Sequence, residues 1–485
     1  MSRPLVHRHK GLARLALYLV PVVLAGVAFV VLDRQTDESA PASPWSQIDW
    51  LEHEAVRVLQ AYLQIDTTHE TGSEIEAAEL LARLLRDAGV DEIHLERLGP
   101  RNANLWATLE GVDPRPLVLH HHMDVEPIDE PELWRTPPFG GAIESPYIIG
   151  RGVFDMKSIG VAQLMAFLSL AREQVPLRRS LMFLATGDEE IDSWLGTRRL
   201  LRLHPEWSGD EGLWAVLTEG GAVEALELED IKYWGTEFAQ KRYVDLWICD
   251  ADRQRLEDLA DELRTVRSER AVTPTLADFL QAYASSRDRA EARELLAEPD
   301  VLLDRLRSYP RDVDATVIPR RLDDTMRRSL SVGPVLPAVG GGGYQVHVIV
   351  QLFPGDALED WWPLLLAGRL DGFTYTVEAT HPPIHEPSPL DHPVMQTIDR
   401  QLEARFPFAT HGPIFVPYIA TDARYFRSYG ITSFGFAPFR FPVSEAMSFM
   451  GPNERIALPI FVEGVALYES VVRDLVVASS EGSGE

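Results

Sequence analysis

The sequence has little cysteine and little positive charge for its length. Its 485 residues include one cysteine, Cys249, which cannot form an internal disulfide and excludes thiolate zinc clusters and cysteine-stapled frameworks. Lys and Arg number 46 against 74 Asp and Glu, and the formal net charge is −28 at pH 7. A nucleic-acid partner is therefore not expected, because phosphates are bound by a basic face.

The rest of the composition is that of a folded protein. Apolar residues make up 45% of the chain and charged residues 25%, close to the averages for soluble globular proteins. At roughly 100–200 residues per domain, the length allows two or three domains. We therefore expect a sizeable buried core in most of the chain.

The beginning of the chain differs from the rest. Residues 1–14 are basic, and an uncharged run of 18 residues, LALYLVPVVLAGVAFVVL, occupies 15–32. As a helix it would rise about 27 Å, nearly the thickness of a hydrocarbon core. We predict a single-pass signal anchor with a cytoplasmic basic end, a polar tether at 33–45 and an extracytoplasmic body, periplasmic or lumenal. A cleaved signal and a buried core helix are the alternatives.

Strands and helices alternate in the body of the chain. Two amphipathic helices come first, and apolar runs that read as strands then alternate with helical segments; the strands are at 116–122, 180–186, 213–218 and 432–437. This alternation predicts an α/β fold with a mainly parallel sheet flanked by helices. Ligands bind such sheets beyond the carboxyl ends of the strands, so the polar residues there are the candidate site residues.

The first of these strands ends in three histidines. His120, His121 and His122 are followed by Met123 and Asp124. A neutral imidazole suits zinc, and a carboxylate near its other nitrogen fixes the tautomer and raises its basicity. His122 and Asp124 are thus a candidate metal ligand and its partner, although such a pair alone is weak evidence. We expect His120 and His121 to be strand and surface residues.

Later strand ends supply carboxylates. Asp155 precedes an apolar helix, where an N-cap role is the alternative. Glu189 and Glu190 belong to a run of adjacent acids, which repel one another unless a cation or a proton compensates or the loop is solvated. Glu219 is followed by two glycines, which let the backbone pass close to a ligand.

Together these side chains form an imidazole and carboxylate set without thiolate. Such a set is typical of catalytic zinc, or of manganese or cobalt. A bridging carboxylate would hold two metals about 3.5–4 Å apart, an arrangement that activates water and polarises a carbonyl. One acid must stay unligated to take the water proton, and either Glu189 or Glu190 meets that requirement while the other binds metal.

At these residues the sequence resembles the co-catalytic zinc aminoacylase and carboxypeptidase family, which includes carboxypeptidase S, glutamate carboxypeptidase and succinyl-diaminopimelate desuccinylase. The resemblance covers most of the chain after about residue 50 and rests on motifs in the family's order. They are LVLHHHMDVEP, WRTPPFGG, GRGVFDMK, ATGDEE, TEGG and ATDARYF. It implies a metallohydrolase of the metallopeptidase or aminoacylase type that acts on a peptide or an N-acyl amino acid.

The resemblance also implies a role for each metal ligand. His122 and Glu219 would bind one zinc, Glu190 would bind the other, and Asp155 would bridge the two. The peptide bond after Asp155 would be cis.

Three more residues receive roles in the same way. Asp124 would orient His122, and Glu189 would be the general base. Arg424 is a candidate partner for a substrate carboxylate, with a surface or structural ion pair as the alternative.

The family inserts a smaller lid and dimerisation domain into its catalytic domain. We expect the catalytic domain at 46–237 and 381–477, the lid at 238–380, and a disordered tail at 478–485. The lid sequence reads β-α-β-β-α-β, the order of a ferredoxin-like sandwich, with an extra helical insertion. A homodimer through the lid is the candidate assembly.

Two regions depart from the family pattern. Met450 stands where relatives have the last histidine of the second metal site, and a thioether is a poor zinc ligand compared with imidazole. In the lid, the loop 249–253 lacks the family's histidine, and Pro334 and Gln351 replace its asparagine and arginine. Loss of one oxyanion donor costs on the order of 100–1000-fold in rate.

Two functions remain open at this point. In the first, the protein is a membrane-anchored hydrolase with one firmly held zinc, on three protein ligands plus water, and a weakened second site. In the second, it is a degenerate relative that retains the fold and serves as a binding or assembly protein. Four other histidines do not occupy family ligand positions, although each could approach the second site in the fold: His381, His385, His392 and His411.

Overall fold

The structure is a computed structural model that describes residues 49–225, 231–285, 324–338, 341–378, 386–417, 420–442, 445 and 448–478. The described residues divide into two compact units. The smaller unit contains 241–271 and 324–378, and the larger unit contains the rest. The signal anchor at 15–32 and its tether lie outside the described residues and stay predictions.

The described strands and helices are numbered along the chain. The strands are β1 (Ile93–Leu98), β2 (Asn102–Leu109), β3 (Asp113–His122), β4 (Ala142–Glu144), β5 (Tyr147–Ile149), β6 (Arg179–Thr186), β7 (Ala215–Thr218), β8 (Ala222–Ala225), β9 (Ile231–Gln240), β10 (Arg242–Asp250), β11 (Ser329–Pro337), β12 (Tyr344–Leu352), β13 (Thr374–Glu378), β14 (His411–Val416), β15 (Ser433–Gly435) and β16 (Arg455–Ala457). The α-helices are α1 (Glu54–Leu63), α2 (Glu74–Asp87), α3 (Ser158–Glu173), α4 (Thr197–Leu203), α5 (Arg253–Thr265), α6 (Pro274–Ser285), α7 (Leu358–Leu365), α8 (Pro393–Arg405), α9 (Ala423–Ser428) and α10 (Leu458–Val476).

A mixed sheet forms the centre of the larger unit. Its described strands have the order β1-β2-β6-β3-β7-β15-β9-β14, and β8 pairs with β9. The central strands β6, β3, β7 and β15 are parallel, whereas β1, β2 and β6 pair antiparallel. The predicted α/β fold is confirmed, but the expectation of a mainly parallel sheet is wrong. The difference arises partly because a short turn after Leu98 joins β1 to β2, and a tight connection forces antiparallel pairing.

The helix α3 lies in the core of the larger unit. Within the described residues, the helical stretch Val153–Glu173 is the one long and apolar enough to cross a membrane, and 78% of its most apolar window is buried. It packs against α10, α1 and the strands β3 and β6. A helix that is apolar all round is expected in such a buried position, so this stretch is accounted for by the core.

The smaller unit is an antiparallel sheet with two helices. Its described strands have the order β11-β12-β10-β13, and the chain order β10-α5-β11-β12-α7-β13 is the ferredoxin-like one expected from the sequence. Leu246, Ile248 and Val348 from the strands pack with Leu259 and Leu263 of α5. A homodimer through this unit stays a prediction.

One helix departs from the predicted lid range of 238–380. The helix α6 belongs to the larger unit, where it packs against β14. The buried Tyr283 in α6 donates a hydrogen bond to the Glu224 carboxylate at 3.0 Å. The apolar face of α6 is therefore buried in the larger unit. Helical periodicity in the sequence does not show which unit a helix packs against.

Candidate metal centre

The carboxyl ends of three parallel strands meet at one edge of the large sheet. His122 is the last residue of β3, Glu219 directly follows β7, and Glu189 and Glu190 follow β6 after a short turn. Since β3 pairs in parallel with both β6 and β7, these side chains leave the sheet at the same edge. This is the edge at which α/β sheets bind ligands.

His122 is the centre of the cluster. Its ring is buried, with Nε2 3.0 Å from Asp155 Oδ1 and 3.7 Å from Glu219 Oε1. Its Nδ1 lies 2.9 Å from the backbone carbonyl oxygen of Asp124. Because a carbonyl oxygen only accepts, Nδ1 donates, and the Nε2 lone pair is left for a metal.

Among the residues that the structure describes, two groups of side chains could hold a metal ion. The ligand atoms of His122, Asp155 and Glu190 lie within 4.8 Å of one another, and so do those of His122, Glu189 and Glu219. The structure therefore brings together every metal ligand and the general base that the sequence suggested, on a nitrogen and oxygen donor set that suits zinc, manganese or cobalt.

The acids of the cluster repel one another. Burial raises the pKa of the Glu219 carboxyl to about 7, and the charge of Asp155 contributes to that rise. Burial also raises the pKa of the Glu190 carboxyl well above its usual range, with Glu126 and Asp155 as further causes. Such acids are stabilised by a proton or a cation.

The pKa of the His122 imidazole is raised as well, here by attraction to the acids. Burial alone lowers the pKa of His122, but its contacts with Asp124, Asp155 and Glu219 outweigh that effect, and the pKa lies well above the ordinary value. Glu190 Oε1 is buried and accepts no hydrogen bond from the part of the chain that the structure describes. An unpaired buried carboxylate oxygen among these groups fits a divalent ion.

Asp124 holds two members of the cluster at once. It is fully buried, and its Oδ1 lies 3.5 Å from His122 Nδ1. Its Oδ2 accepts a hydrogen bond from the backbone nitrogen of Glu190 at 2.9 Å. The Asp124 carboxylate therefore anchors the loop that carries Glu190, while its backbone oxygen makes the shorter contact with His122. The orienting role that the resemblance implied for Asp124 stays a prediction.

Asp155 lies in a distorted turn before α3. The peptide bond Asp155-Met156 is cis, as expected. Asp155 has φ −119° and ψ 97°, and α3 begins only at Ser158. The alternative that Asp155 caps this helix is therefore wrong, and its carboxylate is free to face His122.

Glu454 supports the Asp155 turn, a role that sequence reasoning missed. Its Oε2 accepts from Arg151 Nη1 at 2.8 Å, and its Oε1 accepts from the backbone nitrogen of Phe154 at 2.7 Å. Glu454 is 1% exposed and Arg151 is 3% exposed. One sequence signal could have pointed to this role: Glu454 directly follows Asn453 in the segment that aligns with the family's last motif.

Glu74 supports the loop with the two glutamates and was also missed. Its carboxylate accepts from the backbone nitrogens of Asp188 at 3.1 Å and Ala103 at 3.0 Å. A Cβ at Gly187 would lie 1.9 Å from Glu74 Oε2, so a glycine is required there. In the sequence, Glu74 reads as an ordinary first-turn acid of α2.

His120 and His121 are not surface residues, contrary to the expectation. Both are fully buried. His120 lies 2.8 Å from Thr218 Oγ1 and 3.0 Å from Thr186 Oγ1, and His121 lies 3.2 Å from the Tyr62 hydroxyl. The strand β3 lies between parallel neighbours in a sheet covered on both faces, so residues on both sides of the strand are buried.

Arg424 is also buried rather than on the surface. It is 4% exposed, and its Nη1 lies 3.8 Å from Glu189 Oε1. Its Nη2 lies 3.3 Å from Asp192 Oδ1. The structure thus places Arg424 beside Glu189, the candidate general base.

The described histidines that could have replaced Met450 have other neighbours. The His392 ring packs 4.7 Å from the Trp214 ring, and His411 Nδ1 lies 2.9 Å from Asp399 Oδ1. Neither belongs to a group of metal-binding side chains in the described ranges. His381 and His385 lie outside the described residues. Met450 is half-buried and has a left-handed φ of 57°.

Comparison with protein families agrees with the fold and the site. The model described as peptidase family M20/M25/M40 matches residues 118–474. The chain therefore belongs to this family.

Individual proteins are similar to parts of the chain or to its fold. A succinyl-diaminopimelate desuccinylase of Methylocella silvestris is 34% identical over 33% of this chain and 41% of its own length. The carboxypeptidase S of Saccharomyces cerevisiae is 31% identical over 31% of this chain and 27% of its own length. The chain thus spans less than half the length of the relatives it matches.

Two solved structures share the fold. A metallo-carboxypeptidase of Sulfolobus solfataricus has a TM-score of 0.62 at 16% identity, covering 87% of this chain and 98% of its own. Human carnosine dipeptidase 1 has a TM-score of 0.61 at 14% identity, covering 88% and 97%. At this identity the likeness concerns the fold alone.

The contact between Glu454 and Arg151 generates a stability prediction. Glu454→Gln should lower the free energy of unfolding by roughly 3–5 kcal/mol, because the substitution leaves the Arg151 charge buried and unpaired. The same change in the exposed pair of Glu54 and Arg172, whose side chains are 38% and 41% exposed, should cost less than about 1 kcal/mol. Urea unfolding measures both values, and equal losses would contradict the role of Glu454.

Proposed function

We propose that the protein hydrolyses an amide bond in a peptide or an N-acyl amino acid. The observation that carries this proposal is the contact of His122 Nε2 with Asp155 at 3.0 Å and Glu219 at 3.7 Å, beside Glu189. The names of the similar proteins, a desuccinylase and a carboxypeptidase, support an acyl or peptidyl amide as the substrate class.

Zinc is the metal we expect at this position. His122, Asp155 and Glu219 would hold it, and three protein ligands plus water are the usual set of a catalytic zinc. A bound zinc supplies Lewis acidity, which polarises a carbonyl and lowers the pKa of water. Asp124 keeps His122 in the tautomer that presents Nε2, through the contact at Nδ1.

Glu189 is the residue that moves the proton. Burial raises the pKa of its carboxyl well above the usual range, which strengthens it as a proton acceptor. The carboxylate takes a proton from water as the water oxygen attacks the carbonyl carbon. It then returns that proton to the amine nitrogen as the carbon–nitrogen bond breaks, so the products are a carboxylic acid and an amine.

Replacement of the general base tests this proposal. Glu189→Gln should lower kcat by about 100- to 10,000-fold, because the amide cannot accept the proton. The assay follows hydrolysis of N-acetyl-L-methionine, N-succinyl-L,L-diaminopimelate and glycyl-L-leucine. Glu92→Gln, in a side chain that is 83% exposed, is the matched control and should keep the wild-type rate. Wild-type rates no higher than those of Glu189→Gln on every probe would contradict the proposal.

The second metal position is expected to be weak. Asp155 and Glu190 remain there, but Met450 stands at the position of the family's last histidine, and sulfur in a thioether is a poor zinc ligand. The wild type should therefore hold about one zinc per chain, with three protein ligands and water.

Restoring the imidazole tests the second position. Met450→His should raise the zinc content from about one to about two per chain, because imidazole suits zinc. Met450→Leu is the control and should leave the content at about one. Plasma mass spectrometry of the purified protein measures the zinc content, and a wild type that already holds two zinc ions would contradict this assignment.

A further inference from the structure

We propose that Arg424 is a positioning residue that holds the Glu189 carboxylate in its productive orientation, rather than a binding residue for the substrate. This inference rests on the proposed hydrolase function. The observation that supports it is the distance of 3.8 Å between Arg424 Nη1 and Glu189 Oε1. The two side chains are 5% and 9% exposed.

The guanidinium of Arg424 is fixed by its other partners. Nη1 donates to the backbone oxygen of Thr421 at 3.2 Å, and Nη2 donates to the Tyr425 hydroxyl at 3.2 Å. Nη2 also donates to Asp192 Oδ1 at 3.3 Å. A substrate carboxylate that bound Arg424 would compete with these buried contacts.

Asp192, the acid partner of Arg424, is itself held on two sides. Tyr425 donates its hydroxyl proton to Asp192 Oδ1, and Arg198 Nη1 donates to Asp192 Oδ2 at 2.8 Å. The Arg198 guanidinium lies 3.5 Å from the centre of the Trp194 ring. Charges therefore alternate in sign from Glu189 through Arg424 and Asp192 to Arg198, and such a network has less freedom than an isolated pair.

The geometry suits positioning of a base that must still accept a proton. The distance of 3.8 Å between Arg424 Nη1 and Glu189 Oε1 is longer than a hydrogen bond. Arg424 therefore attracts this oxygen without donating a hydrogen bond to it. Glu189 lies in a cluster of acids that repel it, and the positive charge of Arg424 attracts it. A misplacement of about 1 Å in a reacting group can cost about 100-fold in rate.

The kinetic constants of Arg424→Lys and Arg424→Ala distinguish positioning from binding. We expect kcat to fall about 10- to 100-fold, with KM within about threefold of wild type and the zinc content unchanged, since misplacement of the base affects the transition state alone. Guanidinium chloride at low millimolar concentration should partly restore kcat of Arg424→Ala. A KM raised tenfold or more with kcat near wild type would show substrate binding and would overturn the inference.

A double-mutant cycle separates this role from a general structural one. Glu189→Asp shortens the side chain by one methylene. In that background Arg424→Lys should lower kcat by a far smaller factor than in the wild type, because both changes disturb the orientation of the same carboxylate. Additive losses would overturn the inference. The cycle uses whichever of N-acetyl-L-methionine, N-succinyl-L,L-diaminopimelate and glycyl-L-leucine the wild type hydrolyses fastest.

Arg427 offers a matched control on the same helix. It is 5% exposed, and its Nη2 donates to Glu237 Oε2 at 2.7 Å. Arg427→Lys should lower thermal stability as Arg424→Lys does while keeping kcat, and an equal loss of kcat in both variants would overturn the inference. Wild-type activity that Glu189→Gln abolishes, together with a normal Arg424→Lys, would defeat the inference and leave the proposed hydrolase intact.

Discussion

The mutual repulsion of buried carboxylates around one imidazole is the constraint on which the site depends. Asp155, Glu189, Glu190 and Glu219 converge on His122 at the carboxyl edge of the parallel strands. Removal of such charges from water is costly unless a counter-ion is present. Such a cluster is stabilised by a cation or by protons, and the fold must hold together acids that would otherwise separate.

Buried polar groups behind the cluster provide that restraint. Asp124 contacts His122 and the backbone of Glu190, Glu74 accepts from the loop before Glu189, and Glu454 accepts from the turn before Asp155. Each of these acids is itself buried. The candidate metal ligands are thus held by acids that lie outside the two candidate metal groups of the described residues, in the way that outer residues tune metal sites generally.

The sequence predicted the ligands better than their supports. Candidate ligands such as His122 and Glu219 stand at the ends of apolar strands, and parallel strands bring their ends together. Strand order therefore placed them at one edge of the sheet, whereas their separate roles came from the family resemblance. Glu74 and Glu454 lie far along the chain from the loops that they hold, and their roles depend on packing that no local pattern shows. For the same reason we expected His121 on the surface and the helix α6 in the lid. Whether a strand or a helix is covered on a second face depends on how the whole sheet packs, which the local sequence does not show.

The central claim is that His122, Asp155 and Glu219 bind a divalent metal. Anomalous diffraction at the zinc edge, from crystals of the purified chain supplied with zinc, tests it most directly. We predict a peak about 2.0–2.2 Å from His122 Nε2 and from carboxylate oxygens of Asp155 and Glu219. A map with no peak at these atoms, from protein whose fold is intact, would contradict metal binding by these residues.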